Sequence, residues 1–257
     1  MNTYAKELSF TLQLVRDMKP IFMSYFGRSG ASWKADNTPL TQADVEINDA
    51  IIERINAAYP GDSIFGEEAS HTESSSRVWV VDPIDGTQAF ETGIPTTTIV
   101  VGLVVDGVVK VAVAYDPILD NVYHAVRGAG AFKNEIPIHC SDKNNFEKNY
   151  FATSSFMPKG YASVGTIHDY IDSHKGKVFN LRSFTYCALL VAEGKLAGAV
   201  LGVGRLYDIS VPALIVEEAG GKATDLGGND LNYVTGSDGI LVTNGQMHAQ
   251  LLDVIAG

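Results

Sequence analysis

The chain has 257 residues, 46% of them apolar, and carries a formal net charge of -11 at pH 7. Such a length can bury one large core or two modest ones. The acidic balance and the absence of any basic run argue against a nucleic-acid-binding surface or a basic membrane patch, because affinity for a polyanion comes largely from Lys and Arg displacing counterions.

From Tyr4 onward, Leu8, Leu12, Val15, Phe22 and Phe26 recur at helical spacing, which predicts a helix ending before Gly27 with a kink at Pro20. The start lacks the pattern of a signal peptide, so a cytoplasmic protein is the expectation. A second helix is expected from residues 41–44 through Ile47, Ile51 and Ile55 to Tyr59, where Pro60-Gly61 stops it. Residues 78–81 read as a short buried strand that delivers the chain into Asp82. Residues 99–105 and 108–115 form a hairpin around Asp106-Gly107, too interrupted for a membrane span, and residues 122–127 add a strand. After a polar stretch at 141–149, strands at 150–153, 178–181, 197–201 and 239–243 alternate with helices at 186–193, 209–219 and 246–255. The expected organisation is an α+β half over 1–145, with most of the catalytic carboxylates, and an α/β half over 146–257.

Cys140 and Cys187 have no CxxC spacing, and the six histidines form no HxxxH or HxH pair, so a zinc site or a redox pair is not indicated. The acids are more informative. Glu67 and Glu68 follow Ile64-Phe65-Gly66, Asp82-Pro83-Ile84-Asp85-Gly86-Thr87 follows the buried strand, and Asp208 stands at a helix start. Carboxylates crowded at the ends of apolar elements cannot all stay charged unless a cation sits between them, and hard oxygen donors select Mg²⁺ or a relative. A tight turn at Pro83 directs Asp82 and Asp85 toward one point, while Gly86 and Thr87 offer backbone N–H groups to an anion. The plain alternative is that these acids are helix caps and turn formers.

Gly-Glu-Glu, then Trp-Val-Val-Asp-Pro-Ile-Asp-Gly-Thr, then Tyr-Asp-Ile-Ser and Glu-Ala-Gly-Gly resemble, in order, the signatures of the inositol monophosphatase family. Relatives in that family include histidinol-phosphate, fructose bisphosphate and phosphoadenosine phosphate phosphatases. Lys34 and the segment 38–44 resemble its first motif, in which Asp44 pairs with Thr87. The resemblance implies a layered α/β/α/β/α sugar-phosphatase fold, commonly a homodimer, acting on a small phosphorylated substrate. It also implies two or three Mg²⁺ ions: Glu67, Asp82 and the Ile84 carbonyl hold one, Asp82, Asp85 and Asp208 a second, and Glu67 joins a weaker third. Glu67, Thr87 and Asp44 are then the catalytic residues that draw a proton from the attacking water, Asp85, Gly86 and Thr87 meet the substrate, and Glu68 and Lys34 support the site from behind.

Substrate choice is expected from the second half, where residues 181–187 depart from the family's usual Gly-Ser-Ala-Ala-like stretch and lack the acid expected of histidinol-phosphate phosphatases. Thr185 is the substrate-contact candidate there, with a helix N-cap as its plain alternative. Arg182 and Arg205 are candidates for a second substrate anion or for surface ion pairs, and Tyr207 stands where the family often has tryptophan. The expected activity is therefore hydrolysis of an inositol, polyol, sugar or histidinol monophosphate. Phosphoadenosine phosphate or fructose bisphosphate hydrolysis is the alternative, or a regulatory binding role on the same scaffold. Metal-free glycoside hydrolysis is disfavoured, since it needs two carboxyls and not four or five.

Overall fold

The computed structural model describes every residue except 1–2, 29, 31, 34–38, 72–74 and 203. In chain order the elements begin with α1 (Ala5–Asp17), α2 (Lys19–Tyr25), β1 (Ser32–Trp33), β2 (Pro39–Leu40) and α3 (Gln42–Ala58). β3 (Ser63–Gly66), β4 (Arg77–Asp85), α4 (Thr87–Thr92), β5 (Thr98–Val105), β6 (Val108–Asp116) and β7 (Asn121–Val126) follow. Next come β8 (Ala131–Lys133), β9 (Ile136–Pro137), β10 (Tyr150–Thr153), α5 (Val164–Ser173), β11 (Lys177–Phe179) and α6 (Phe184–Ala192). The last are β12 (Gly198–Leu201), α7 (Leu206–Glu218), β13 (Lys222–Thr224), β14 (Ile240–Thr243) and α8 (His248–Ala256).

A seven-stranded sheet has the order β3-β4-β5-β6-β7-β8-β9, and a five-stranded sheet the order β11-β10-β12-β14-β13. α1 and α3 cover one face of the larger sheet, α6 and α7 lie between the two sheets, and α5 and α8 back the smaller one. These are the five layers expected from the resemblance. The strands of the larger sheet are buried on both faces, which explains their nearly unbroken apolar runs. Consecutive residues of one strand serve different cores, as the two-residue strand period requires: Trp79 and Val81 pack under α1 and α3, while Val80 packs toward α7. α7 is buried all round from Leu206 to Val216, as a helix held between two sheets must be. Each of its large aliphatic side chains contributes roughly 1.5–3 kcal/mol by burial. Gly102 on β5 admits the helix, because a Cβ there would lie 2.8 Å from Val211 Cγ2.

The hairpin forms as expected, with positive φ at both Asp106 and Gly107. Three boundaries differ from the sequence pattern. The first helix is two, broken at Met18, so Pro20 falls at the start of α2, where its missing N–H costs nothing. β4 runs on through both aspartates to Asp85, and the turn expected at Pro83 falls inside it, at a slip in register between Asp82 and Asp85; proline, having no N–H for the ladder, belongs in such an irregularity. α6 starts at Phe184, capped by the Ser183 hydroxyl accepting from Tyr186 N–H, so Thr185 is not the cap. Among the described residues no helix is long and apolar enough to cross a membrane.

Candidate active site

The end of β3, the irregular end of β4, and the first turns of α4, α6 and α7 meet around one cavity of about 410 Å³. Its floor holds Glu67, Asp82, Asp85 and Asp208, and Ile84, Gly86 and Thr87 line it beside them. Asp82, Asp85 and Asp208 are all buried, at 3%, 5% and 8% exposure. A carboxylate so placed has lost its water, so burial pushes each carboxyl above its ordinary range. For Asp82 the charges of Glu67, Asp85 and Asp208 push further in the same direction.

Local structure aims each of these acids. Asp82 Oδ1 accepts from the Ile84 N–H at 3.0 Å, closing a small turn over Pro83. Asp85 accepts from the Ser183 hydroxyl and from the N–H groups of Phe184 and Thr185 at 3.1 and 3.0 Å, the first free donors of α6. These bonds offset part of its desolvation. Asp208 is the third residue of α7 and reaches back to the Arg205 N–H at 3.1 Å. Gly86 is required between these pieces: its φ is +88° and a Cβ would lie 2.8 Å from Ser183 Cβ.

The donor set fits a hard dication such as Mg²⁺, being all carboxylate and carbonyl oxygen with an excess of buried negative charge. In the side-chain positions seen, no three acidic, histidine or cysteine groups among the described residues close into a ready-made cage. Asp85 shows why, since both of its oxygens are turned to Ser183 and α6.

Other expected residues fall elsewhere. Asp44 does not pair with Thr87: its Oδ2 takes the Thr41 N–H and hydroxyl at 2.7 and 2.5 Å, a capping box at the start of α3. The Thr87 hydroxyl donates to the Ile84 carbonyl at 3.1 Å. Asp44 is fully buried with Oδ1 unpartnered among the described residues, and burial pushes its carboxyl up to about 7, with the Glu68 and Glu67 charges adding to the shift. Glu68 thus stands near Asp44, behind the cavity. Thr185 is 1% exposed and does not line the cavity, so the substrate-contact expectation for its side chain is corrected; its backbone holds Asp85 instead. Lys34 lies outside the described residues.

Tyr207 lines the cavity and stacks on Phe65 with ring centroids 5.9 Å apart, an aromatic wall contributed by both halves of the chain. Arg182 and Arg205 also line it, and neither forms an ion pair with a described residue. Sequence reasoning missed Ser183, Gln88, Ser155 and Asn180; only Ser183 carried a signal, as a cap-forming residue before an apolar run. Arg182 has φ +62°, a left-handed conformation that costs a residue with a side chain about 1–2 kcal/mol.

The inositol monophosphatase family model matches residues 4–256. The chain is 32% identical over 254 residues to a histidinol-phosphatase of Chlorobaculum parvum, covering 97% of this chain and 96% of that protein. It is 29% identical over 250 residues to a fructose-1,6-bisphosphatase/inositol-1-monophosphatase of Thermotoga maritima, covering 96% and 95%. Its backbone matches the IMPase structure from Thermotoga maritima with a TM-score of 0.89 at 28% identity, over 97% and 96% of the two chains. The ordered motifs, the five-layer fold and a match across nearly the whole chain agree: the chain belongs to the inositol monophosphatase family and is a phosphatase of that family.

Proposed function

We propose that the protein hydrolyses a small phosphomonoester to an alcohol and inorganic phosphate with Mg²⁺ held by Glu67, Asp82, the Ile84 carbonyl, Asp85 and Asp208. The observation that carries this reading is that four acids from three distant segments share one cavity floor, three of them buried and held above their ordinary protonation range. When bound, Mg²⁺ supplies the positive charge that phosphoryl transfer needs and makes water acidic enough to attack.

The chain's own groups position and move protons. Gly86 and Thr87, at the start of α4, offer backbone N–H groups to phosphoryl oxygens. Glu67 is the proton acceptor on the floor for the attacking water. Thr87 shares that task only by turning its hydroxyl away from the Ile84 carbonyl. Asp44 supports the site from behind through α3 and the Glu67-Glu68 segment, not through a bond to Thr87.

The test is phosphate release by purified protein with Mg²⁺ from a panel of sugar, polyol, amino-alcohol and nucleotide phosphates. The expected result is turnover of at least one class, abolished by EDTA and restored by Mg²⁺. No release from any member, or full activity in EDTA, would sink the reading.

A further inference from the structure

On the rim of the cavity the polar groups satisfy one another: Arg182 donates to Ser155 Oγ and to Gln88 Oε1, and Asn180 donates to Ser155 Oγ. Behind the floor they do not. Among the described residues, three of the five buried side-chain nitrogen and oxygen atoms without a hydrogen-bond partner belong to Asp44 and Asn48. Both residues are 0% exposed and lie on the face of α3 that also buries Ile47, Ile51 and Ile55. An apolar residue at 48 would continue that stripe. An amide there with neither end bonded has given up its hydrogen bonds to water and gained none from the protein.

The amide presses on the strand end that leads into Glu67. A Cβ on Gly66 would lie 2.8 Å from Asn48 Oδ1 and 2.3 Å from the Ala69 carbonyl oxygen, so glycine is what admits the amide, and two oxygens converge on one spot. Elsewhere the 66–69 segment is held by the Gly66 N–H on Ser70 Oγ at 3.2 Å and by the Glu67 N–H on the Val81 carbonyl at 3.0 Å, one residue before Asp82. Side chains four apart on a helix have Cβ atoms about 5–6 Å from each other, so Asp44 and Asn48 stand at a separation that a single water spans. A buried water makes about three hydrogen bonds to groups the protein leaves unsatisfied, and Asp44 Oδ1, the Asn48 amide and the Ala69 carbonyl offer that number.

We propose that Asn48 is a positioning residue of the site: its amide and Asp44 Oδ1 share one buried water that ties α3 to the 66–69 segment and so fixes the direction in which Glu67 enters the cavity floor. This rests on the phosphatase reading above. Asn48 touches no reacting atom; it acts through the segment that carries Glu67.

The experiment compares the wild type with Asn48→Leu, which keeps the number and branching of heavy atoms but leaves the space dry, and Asn48→Ala, which leaves room for further solvent. Three quantities are measured: melting of the metal-free protein, Mg²⁺ affinity by calorimetry without substrate, and kcat and KM for the fastest substrate of the panel above. Asn48→Leu should melt at or above the wild type, because it removes an unbonded buried amide, yet bind Mg²⁺ about tenfold more weakly and lose about tenfold in kcat with KM for substrate little changed. Asn48→Ala should melt lowest and lose less in both Mg²⁺ affinity and kcat. Stability and function are then ranked in opposite orders. A role in packing alone predicts the same order for both, and that result overturns the inference, as does wild-type Mg²⁺ affinity and kcat in folded Asn48→Leu; either leaves the phosphatase reading intact. A high-resolution crystal structure of the wild type should show the water between Asp44 and Asn48, and a dry contact there also overturns the inference, even where a variant fails to fold. No phosphate release by the wild type overturns both readings.

Discussion

Glu67, Asp82, Asp85 and Asp208 sit where buried strands and the central helix end, whereas Ser155, Asn180 and Arg182 sit on exposed connections a few residues away in space. The floor groups are pinned by backbone N–H bonds and by the packing of β4 and α7, and their charges oppose one another. The rim groups hold each other through side chains in reach of solvent. The floor thus rests on the packed part of the fold, and the rim on loops in reach of solvent, where connecting segments usually lie.

The largest expected effect breaks the floor. Asp82→Asn should lower kcat/KM by about a thousandfold or more, the loss of a ligand for the charge that stabilises phosphoryl transfer. The same variant, freed of metal with EDTA, should melt a few degrees higher than the wild type, because it removes a repelled buried charge. Lower melting together with retained activity would mark Asp82 as structural.

The next tests whether burial charges the site with stress that the rim lacks. Asp44 titrates at about 7 in the folded protein against about 3.9 when unfolded, so the folded state holds its proton longer. Its favourable share is fully present below about pH 4 and is lost as pH rises to about 7, a change of about 4 kcal/mol. In metal-free protein, Asp44→Asn should therefore gain stability relative to wild type across that window, measured by urea unfolding at several pH values. A constant difference between the two proteins would contradict the buried, crowded environment assigned to Asp44. Ser155→Ala on the rim should show no such trend.

Where floor and rim touch, Gly86→Ala should destabilise by about 1–3 kcal/mol, since φ is +88° and the new Cβ meets Ser183. Thermal unfolding reads it, and unchanged melting would mean that the Ser183 segment is free to retreat. The smallest effect belongs to Glu68→Gln, which should cost about tenfold in kcat/KM because Glu68 stands behind the cavity. Losses equal to those of Asp82→Asn would move Glu68 onto the floor.

Much of the floor is legible in the sequence because its acids sit in short, unusual strings directly after apolar strands, so that Asp82, Ile84 and Asp85 are adjacent before any folding is considered. The helices and the hairpin are legible for a similar reason: their signals, helical spacing and Asp106-Gly107, are local. What fails is what depends on competition between distant segments. Nothing near Thr185 says that its amide will serve Asp85, a hundred residues away. The pairing of Asp44 with Thr87 loses to a cap three residues distant, because Thr41 is tied to Asp44 by the first turn of α3.

The sequence by itself determined the longer helices, the central hairpin, the order of the motifs and the oxygen-donor chemistry of the floor, since each follows from residue type and short spacing. Only the tertiary structure decided that Asp85 is held by α6, that Asp44 closes a cap on α3 instead of meeting Thr87, and that a guanidinium without an acidic partner among the described residues spans the rim. Those facts depend on how two sheets pack about α6 and α7, and burial and charge act through space and not along the chain.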